Sequence, residues 1–254
     1  MKSLILVFVV FGIISLLFYF AESYLGYYNI PNVITSGIVI YLIFFLIHRT
    51  GNSFLQMDRM QMFLMISFVC WFSAEAIFGY YSGVLKIDPY PSIADIFYLA
   101  GHIFFILLLW SLNKTYKIEP SIIISLLITF FLFAFYVLYI TVFIFNVYSF
   151  SGGLIDSILV FSYPIFDLII VIGGVVYYFR ERDISLNREY VSWLLISACG
   201  FFFFAADVIF GINDLYGHTE DYHLYDLFFN VGYLMLGIAL MTRIFYLNIQ
   251  RRND

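Results

Sequence analysis

Five carboxylates lie inside long apolar stretches of the sequence, where an acid is costly unless something stabilises it. They are Glu75, Asp95, Asp167, Asp207 and Asp226. Ionising a carboxyl group in a hydrocarbon environment is unfavourable, so each of these acids needs a hydrogen-bond donor, a proton or a bound cation. These residue types favour proton or cation chemistry, and we expect all five side chains to contribute to a polar binding site.

The position of each acid along its helix separates structural from functional roles. Asp95 and Asp226 fall in the first turns of predicted helices, where either can cap free amides, and Ser92 can serve as the cap equally well. Glu75 and Asp207 approach the C-terminal ends of their helices, where negative charge is disfavoured. Capping therefore accounts for the first pair only, and the second pair requires partners.

Asp167 is predicted to be the deepest of the acids. It follows Pro164 by three residues in the segment SYPIFD, and a proline inside a helix is expected to kink it and free a carbonyl group. The kink favours a polar cavity lined by Asp167, and the alternative is an aspartate bonded to a neighbouring hydroxyl group.

Polar-tipped aromatic residues accompany the acids, and we include Tyr98, His102 and Tyr233 in the predicted ligand-binding set. His102 lies seven residues after Asp95 on the same helical face, and a later loop, HTEDYHLYD, holds His218 and His223. Zinc accepts such ligands, but no HExxH motif is present. Metal binding near these histidines stays open, no catalytic residue is predicted, and the sequence identifies no cofactor.

The elements that position these residues are predicted to be transmembrane helices. Hydrophobic residues make up 63% of the 254 and charged residues 11%, more apolar surface than a soluble core can hide. The apolar residues form eight blocks of about 20 residues, the length that crosses a bilayer as a helix. The sequence therefore predicts an all-α, polytopic membrane protein, one membrane domain over 1–254, with spans at 3–20, 30–48, 60–81, 92–112, 121–145, 154–179, 190–212 and 224–246.

The basic residues predict the orientation. Every lysine and arginine except Lys86 falls in alternate loops or at the termini, which places both termini in the cytoplasm of a multi-pass cell-membrane protein. The opposite loops are acidic, so the outer face is expected to be electronegative and nucleic-acid binding is disfavoured. A cleaved signal peptide is the alternative for the first span, because Lys2 precedes an apolar run.

Two segments of the chain resemble each other and predict an internal duplication. Residues 74–79 read AEAIFG and residues 206–211 read ADVIFG, while 94–102 read ADIFYLAGH and 225–233 read YDLFFNVGY. Glu75 thus corresponds to Asp207, Asp95 to Asp226 and His102 to Tyr233. We expect two parallel four-helix repeats, 1–118 and 119–254, with a cavity between them.

The segment from 74 to 102 resembles a multi-pass, sensor-type membrane region of prokaryotes. The similarity lies in a Pro-Ser-x-x-Asp motif from Pro91 to Asp95, followed by Tyr98 and Leu99, and in a Tyr-Pro-x-x-Asp motif from Tyr163 to Asp167. Such regions precede the output domains of histidine kinases and diguanylate cyclases. The family's Gly-Tyr pair is Gly-His here, and the chain stops at Asp254, so the resemblance implies a separate cytoplasmic or membrane output partner.

Three functions fit these observations. The first is a stand-alone membrane sensory or ligand-binding module whose outward-facing cavity takes a small ligand or cation. The second is a proton- or cation-coupled transporter, and the third is an intramembrane metal-dependent hydrolase. No lysine lies inside a predicted span, which excludes a retinal Schiff base, and no nucleotide or nucleophile motif supports an enzyme. The bilayer is the one partner that every reading requires.

Overall fold

The computed structural model describes residues 30–49, 59–113, 133–138, 154–184, 190–216 and 224–253, together with residues 13, 17 and 20. Over these ranges the chain is helical apart from the connection at 86–92, and no strand is present. The predicted all-helical fold is thus confirmed for this part of the chain. The long helices are α1 (Ile30–Arg49), α2 (Arg59–Gly79), α3 (Ile93–Asn113), α4 (Leu154–Ile184), α5 (Val191–Tyr216) and α6 (Leu224–Asn253).

Each of these six described helices is long and apolar enough to cross a membrane. They coincide with the second, third, fourth, sixth, seventh and eighth predicted spans. The first and fifth predicted spans fall almost wholly outside the described residues. Large apolar side chains such as Tyr41, Ile96 and Trp110 remain more than 60% exposed, as expected of helices whose outer faces contact lipid rather than water.

The end of α2 differs from the predicted boundary at residue 81. The helix continues through a π-helical turn, Tyr80–Leu85, and stops at Lys86, which has a left-handed backbone with φ of 54°. The Ile87 N–H donates back to the Tyr81 carbonyl oxygen at 3.2 Å, and a left-handed residue with a returning N–H is a common way to terminate a helix. A short connection containing a cis Tyr90-Pro91 peptide then leads to α3.

The helices pack in a regular pattern. α2 lies along α3 and α5 lies along α6, while α1 contacts α2 and α6, and α4 contacts α5 and α3. Buried apolar residues from all six long helices fill the centre of this bundle, among them Val39, Ile43, Phe68, Phe105, Ile170, Phe203 and Leu236. α1 and α4 therefore each connect the two helix pairs.

Small residues bring α4 and α5 into close contact. A Cβ atom at Gly174 would lie 2.6 Å from the Ser197 backbone nitrogen, and one at Gly200 would lie 3.1 Å from the Asp167 carbonyl oxygen. The Ser197 hydroxyl group donates to the Val171 carbonyl oxygen at 2.9 Å. Small side chains and interhelical hydrogen bonds are the usual means of packing membrane helices, and here they also hold the backbone that carries Asp167. α4 continues as a helix through Pro164.

One end of the bundle is held by an arginine. Arg243 of α6 donates from Nε to the Ser192 hydroxyl oxygen at 3.0 Å and from its terminal nitrogen to Glu181 at 3.3 Å. Its guanidinium group also lies 4.6 Å from the centre of the Trp193 ring. These contacts join α4, α5 and α6 at the end remote from the acids described next.

Candidate binding cavity

A cavity with a largely apolar lining and several carboxyl groups in its wall lies where α2 ends and where α3 and α6 begin. Its volume is about 60 Å³, which is room for a few water molecules or a small polar ligand. All of α1 to α6 and the connection before α3 contribute to its walls, which consist of Asn32, Trp71, Glu75, Phe78, Tyr90, Asp95, Tyr98, His102, Tyr163, Phe203, Asp207, Phe210, Tyr225, Asp226, Phe229 and Tyr233.

The predicted ligand-binding residues converge on this cavity. Seven of the eight line it, namely Glu75, Asp95, Tyr98, His102, Asp207, Asp226 and Tyr233. The eighth, Asp167, is fully buried behind His102 and contacts the cavity through that ring. Residues separated by as many as 158 positions in the sequence are thus neighbours in the fold, although this proximity does not by itself test whether they bind a ligand.

Asp95 combines a structural contact with one that faces the cavity. Its Oδ2 accepts the Ser92 N–H at 2.6 Å, and the Ser92 hydroxyl oxygen accepts the Ala94 N–H at 3.1 Å, which together form a capping box at the start of α3. The Tyr163 hydroxyl group donates to Asp95 Oδ1 at 2.7 Å. One oxygen of the Asp95 carboxylate therefore caps α3, and the other accepts a hydrogen bond from α4. Asp226 occupies the corresponding place, the first turn of α6, and is also buried.

Glu75 is held by tyrosine hydroxyl groups. Tyr233 of α6 donates to Glu75 Oε1 at 2.8 Å, and the Tyr98 hydroxyl group of α3 also hydrogen-bonds this carboxylate. The acid is only 2% exposed. Two hydroxyl donors supply much of what water would otherwise provide, which explains how a carboxylate is tolerated near the C-terminal end of α2.

His102 connects the cavity to the buried acid behind it. Its Nδ1 lies 2.8 Å from the Tyr98 carbonyl oxygen, and its Nε2 lies 3.0 Å from Asp167 Oδ1. The Asp167 carboxyl group in turn interacts with that of Asp207, which returns to the cavity wall. His102 hydrogen-bonds Asp167, and the Asp167 and Asp207 carboxyl groups are neighbours, so three titratable side chains from α3, α4 and α5 form a row.

An aromatic frame supports both sides of the cavity. The Trp71 ring lies edge-on to His102, with ring centres 5.1 Å apart and an interplanar angle of 71°; the Phe203 ring meets Tyr233 at 5.0 Å and 68°. Each of the two frame rings fits over a glycine, because a Cβ atom at Gly101 would collide with Trp71 and one at Gly232 would collide with Phe203. Trp71 and Phe203 also contact each other, with centres 5.5 Å apart.

Sequence reasoning missed several residues of the cavity wall. Trp71 and Phe203 lie one helical turn before Glu75 and Asp207, so extending the repeat by four residues towards the N-terminus would have found them. Asn32 and Tyr90 carry no comparable signal, because α1 and the connection before α3 reach the cavity only through tertiary packing.

Acidic groups outnumber basic ones in the described wall of the cavity. Four carboxyl groups line it, and no lysine or arginine is among the described residues of its wall. Among the described residues, no group of three or more His, Cys, Asp or Glu side chains has an arrangement that can hold a metal ion, while His218 and His223 fall outside them. Burial and the surrounding aspartates raise the pKa of the Tyr90 hydroxyl group at the edge of the cavity, so it stays neutral.

No protein-family model, curated protein or solved structure matches the chain.

Proposed function

We propose that the chain is a membrane sensory or ligand-binding module whose cavity takes a small organic cation carrying an ammonium group. One observation carries this proposal: four carboxyl groups and a set of aromatic rings line a single cavity whose described wall contains no lysine or arginine. Carboxylates attract a cation by charge, and aromatic faces attract it through their quadrupoles.

The size and composition of the cavity favour an ammonium ion over a bare metal ion. About 60 Å³ accommodates a group of a few heavy atoms, and Trp71, Phe203 and Phe210 supply apolar and aromatic surface around it. A metal ion needs several oxygen or nitrogen ligands converging on one point, an arrangement that the described residues do not offer.

The proposal includes a duplicated architecture with eight crossings and a cavity between two similar halves. The matched ring contacts of Trp71 with His102 and of Phe203 with Tyr233 support it, as do the glycines at 101 and 232 under those two rings. The packing pattern supports it as well, because exchanging α1 with α4, α2 with α5 and α3 with α6 leaves the set of helix contacts unchanged. Residues from both halves then share one site.

The orientation that we propose places both termini in the cytoplasm and the cavity on the outer side of the cell membrane. Cysteines introduced at positions 85 and 217 should react with an impermeant reagent in intact cells, whereas those at 53, 116, 184 and 250 should react only after lysis. Outside labelling at 184 or 250 would contradict this orientation.

A sensory role draws support from the two motifs that carry the resemblance to sensor-type membrane regions. Asp95 of the first motif accepts a hydrogen bond from Tyr163 of the second, and Asp167 of the second contacts His102 seven residues beyond Asp95. Both motifs therefore meet at the cavity, as expected if they sense one ligand, and a separate output protein would read the resulting change.

Calorimetry on the purified protein tests the binding proposal. Methylammonium should bind, and methanol, which has the same number of heavy atoms and no charge, should not. Glu75→Gln should weaken methylammonium binding roughly ten- to a hundredfold, the equivalent of losing one interaction of about 1.5–3 kcal/mol with a charged group. Glu181→Gln is the matched control, because Glu181 pairs with Arg243 at the other end of the bundle. Equal binding of the two probes would overturn the proposal.

A cation-coupled carrier is the second candidate, and the row of His102, Asp167 and Asp207 favours it, because carriers use such intramembrane groups to couple transport to protons. Reconstituted vesicles distinguish the two functions. Under an imposed proton gradient, a carrier accumulates labelled methylammonium beyond the passive uptake of protein-free vesicles, whereas a sensory module adds no accumulation to that background.

A further inference from the structure

The contacts of His102, Asp167 and Asp207 determine how many protons this row of side chains must hold. The Tyr98 carbonyl oxygen can only accept a hydrogen bond, so His102 must carry a proton on Nδ1, which lies 2.8 Å from that oxygen. The contact between Nε2 and Asp167 Oδ1 at 3.0 Å then needs a second proton, carried by either the ring or the acid. A neutral imidazole facing an ionised carboxylate through two acceptors would be repulsive.

A third proton is required at the other end of the row. The carboxyl groups of Asp167 and Asp207 interact directly, and two carboxyl groups form a hydrogen bond only when one of them is protonated. With three protons the row has no net charge, whichever side of the His102 contact holds the second one. Asp167 is fully buried and His102 is 5% exposed, so a neutral, fully bonded row is the form that this environment favours.

Both ends of the row reach the cavity, although its middle does not. His102 and Asp207 belong to the cavity wall, and Asp167 lies behind them. A proton can therefore leave towards the cavity from Asp207, and the protons on His102 and Asp167 can redistribute behind it.

The described side chains around the row supply no positive charge of their own, so a proton is the positive charge that this site can release. The titratable side chains that surround the row are Glu75 of α2, Asp95 and Tyr98 of α3, Tyr163 of α4, Cys199 of α5, Asp226 and Tyr233 of α6, and Tyr90 of the connection. None of them is basic. A cation that enters beside Asp207 adds a positive charge to a desolvated site, and release of one proton from the row restores the original net charge.

We infer, building on the proposed function, that His102, Asp167 and Asp207 form a proton-sharing row that releases one proton into the cavity for each cation bound there. The exchange is balanced: one ammonium ion enters, one proton leaves, and Asp207 becomes the carboxylate that faces the bound charge. The proton is thus the ion that is exchanged for the bound cation. Cation affinity should rise with pH, because a low proton concentration favours this release.

Calorimetry in two buffers with different ionisation enthalpies measures the proton count directly. Methylammonium binding to the wild-type protein at neutral pH should release about one proton per cation, because coupled groups titrate together as a unit. Asp167→Asn should release less than half as many protons for each methylammonium ion bound, whatever its affinity. Glu75→Gln is the matched control: weaker binding, with the proton count per bound cation unchanged.

The possible failures are distinguishable. Methylammonium binding without proton release in the wild-type protein would overturn the proton-sharing row and leave the binding proposal standing. Absence of binding would overturn both. An unchanged proton count in Asp167→Asn would show that the released proton comes from a group outside the row. If this variant does not fold, the wild-type measurement still decides whether cation binding releases a proton.

Discussion

The two sides of the cavity share a frame and differ in their polar chemistry. On one side, Glu75 of α2 accepts a hydrogen bond from Tyr233 of α6; on the other, Asp207 of α5 reaches His102 of α3 through Asp167. The first side uses hydroxyl groups that donate and do not titrate near neutral pH, whereas the second uses an imidazole and two carboxyl groups.

The same aromatic frame thus surrounds two acids that are stabilised in different ways. Hydroxyl donors are suited to an ionised Glu75, so the proposed site has a lasting negative charge on that side. A shared-proton row stabilises Asp207 without net charge, so that side can exchange its proton. In the proposed repeat, His102 corresponds to Tyr233, and this difference together with Asp167 distinguishes the two sides.

The largest effect is expected on the shared-proton side. Asp167→Leu leaves His102 Nε2 and the Asp207 carboxyl group buried without their partner, at a cost of about 1–3 kcal/mol for each group. Asp167→Asn should retain most of the stability, because its amide can still hydrogen-bond. Thermal unfolding of the purified variants measures the difference, and equal stability of the leucine and asparagine variants would show that the row does not stabilise the fold.

The shared frame predicts equal effects at two glycines. Gly101→Ala and Gly232→Ala should each cost about 1–3 kcal/mol, because the added methyl group meets Trp71 or Phe203. Gly237→Ala is the matched control, since its Cβ atom would meet its nearest neighbours, Leu42 and Val39, at 3.8 Å. A large effect at one frame glycine alone would break the correspondence between the two sides.

The hydroxyl-donor side should be more tolerant. Tyr233→Phe removes the donor to Glu75 but leaves the Tyr98 hydroxyl group, so we expect a loss of about 1 kcal/mol in the free energy of unfolding. The number of protons released on cation binding should not change. A changed proton count, measured by the same two-buffer calorimetry, would mean that the two sides titrate as one unit.

The smallest effect concerns Tyr90, which contacts Phe210 at the edge of the cavity and donates to the Asp156 carbonyl oxygen at 3.1 Å. Tyr90→Phe should cost about 0.5–1.5 kcal/mol at neutral pH. Burial raises the pKa of this hydroxyl group in the folded state, so the folded protein binds the proton more tightly and loses stability as pH rises above about 10, the value for an unfolded tyrosine. Unfolding measured across alkaline pH should show a shallower decline in the variant.

The helices were accessible to sequence reasoning because hydropathy is a local property. Six predicted spans coincide with helices of the required length and apolarity. The helical segment that begins with α2 runs four residues past the predicted end at 81, because the π-helical turn and the left-handed Lys86 leave no hydropathy signal. The candidate site was accessible for a similar reason: acids within apolar runs are conspicuous, and the repeat paired Glu75 with Asp207 before any contact was known.

The partners of those acids were decided only by the tertiary structure. The bond from Tyr233 to Glu75 joins residues 158 positions apart, and that from His102 to Asp167 joins residues 65 apart. The sequence by itself determined that this chain is helical, that it is apolar enough for a membrane and that it carries buried acids. Whether each acid faces a hydroxyl group, an imidazole or another acid depends on how the helices rotate and approach one another. Glycines and aromatic rings control that approach through contacts between distant residues, which no local sequence pattern records.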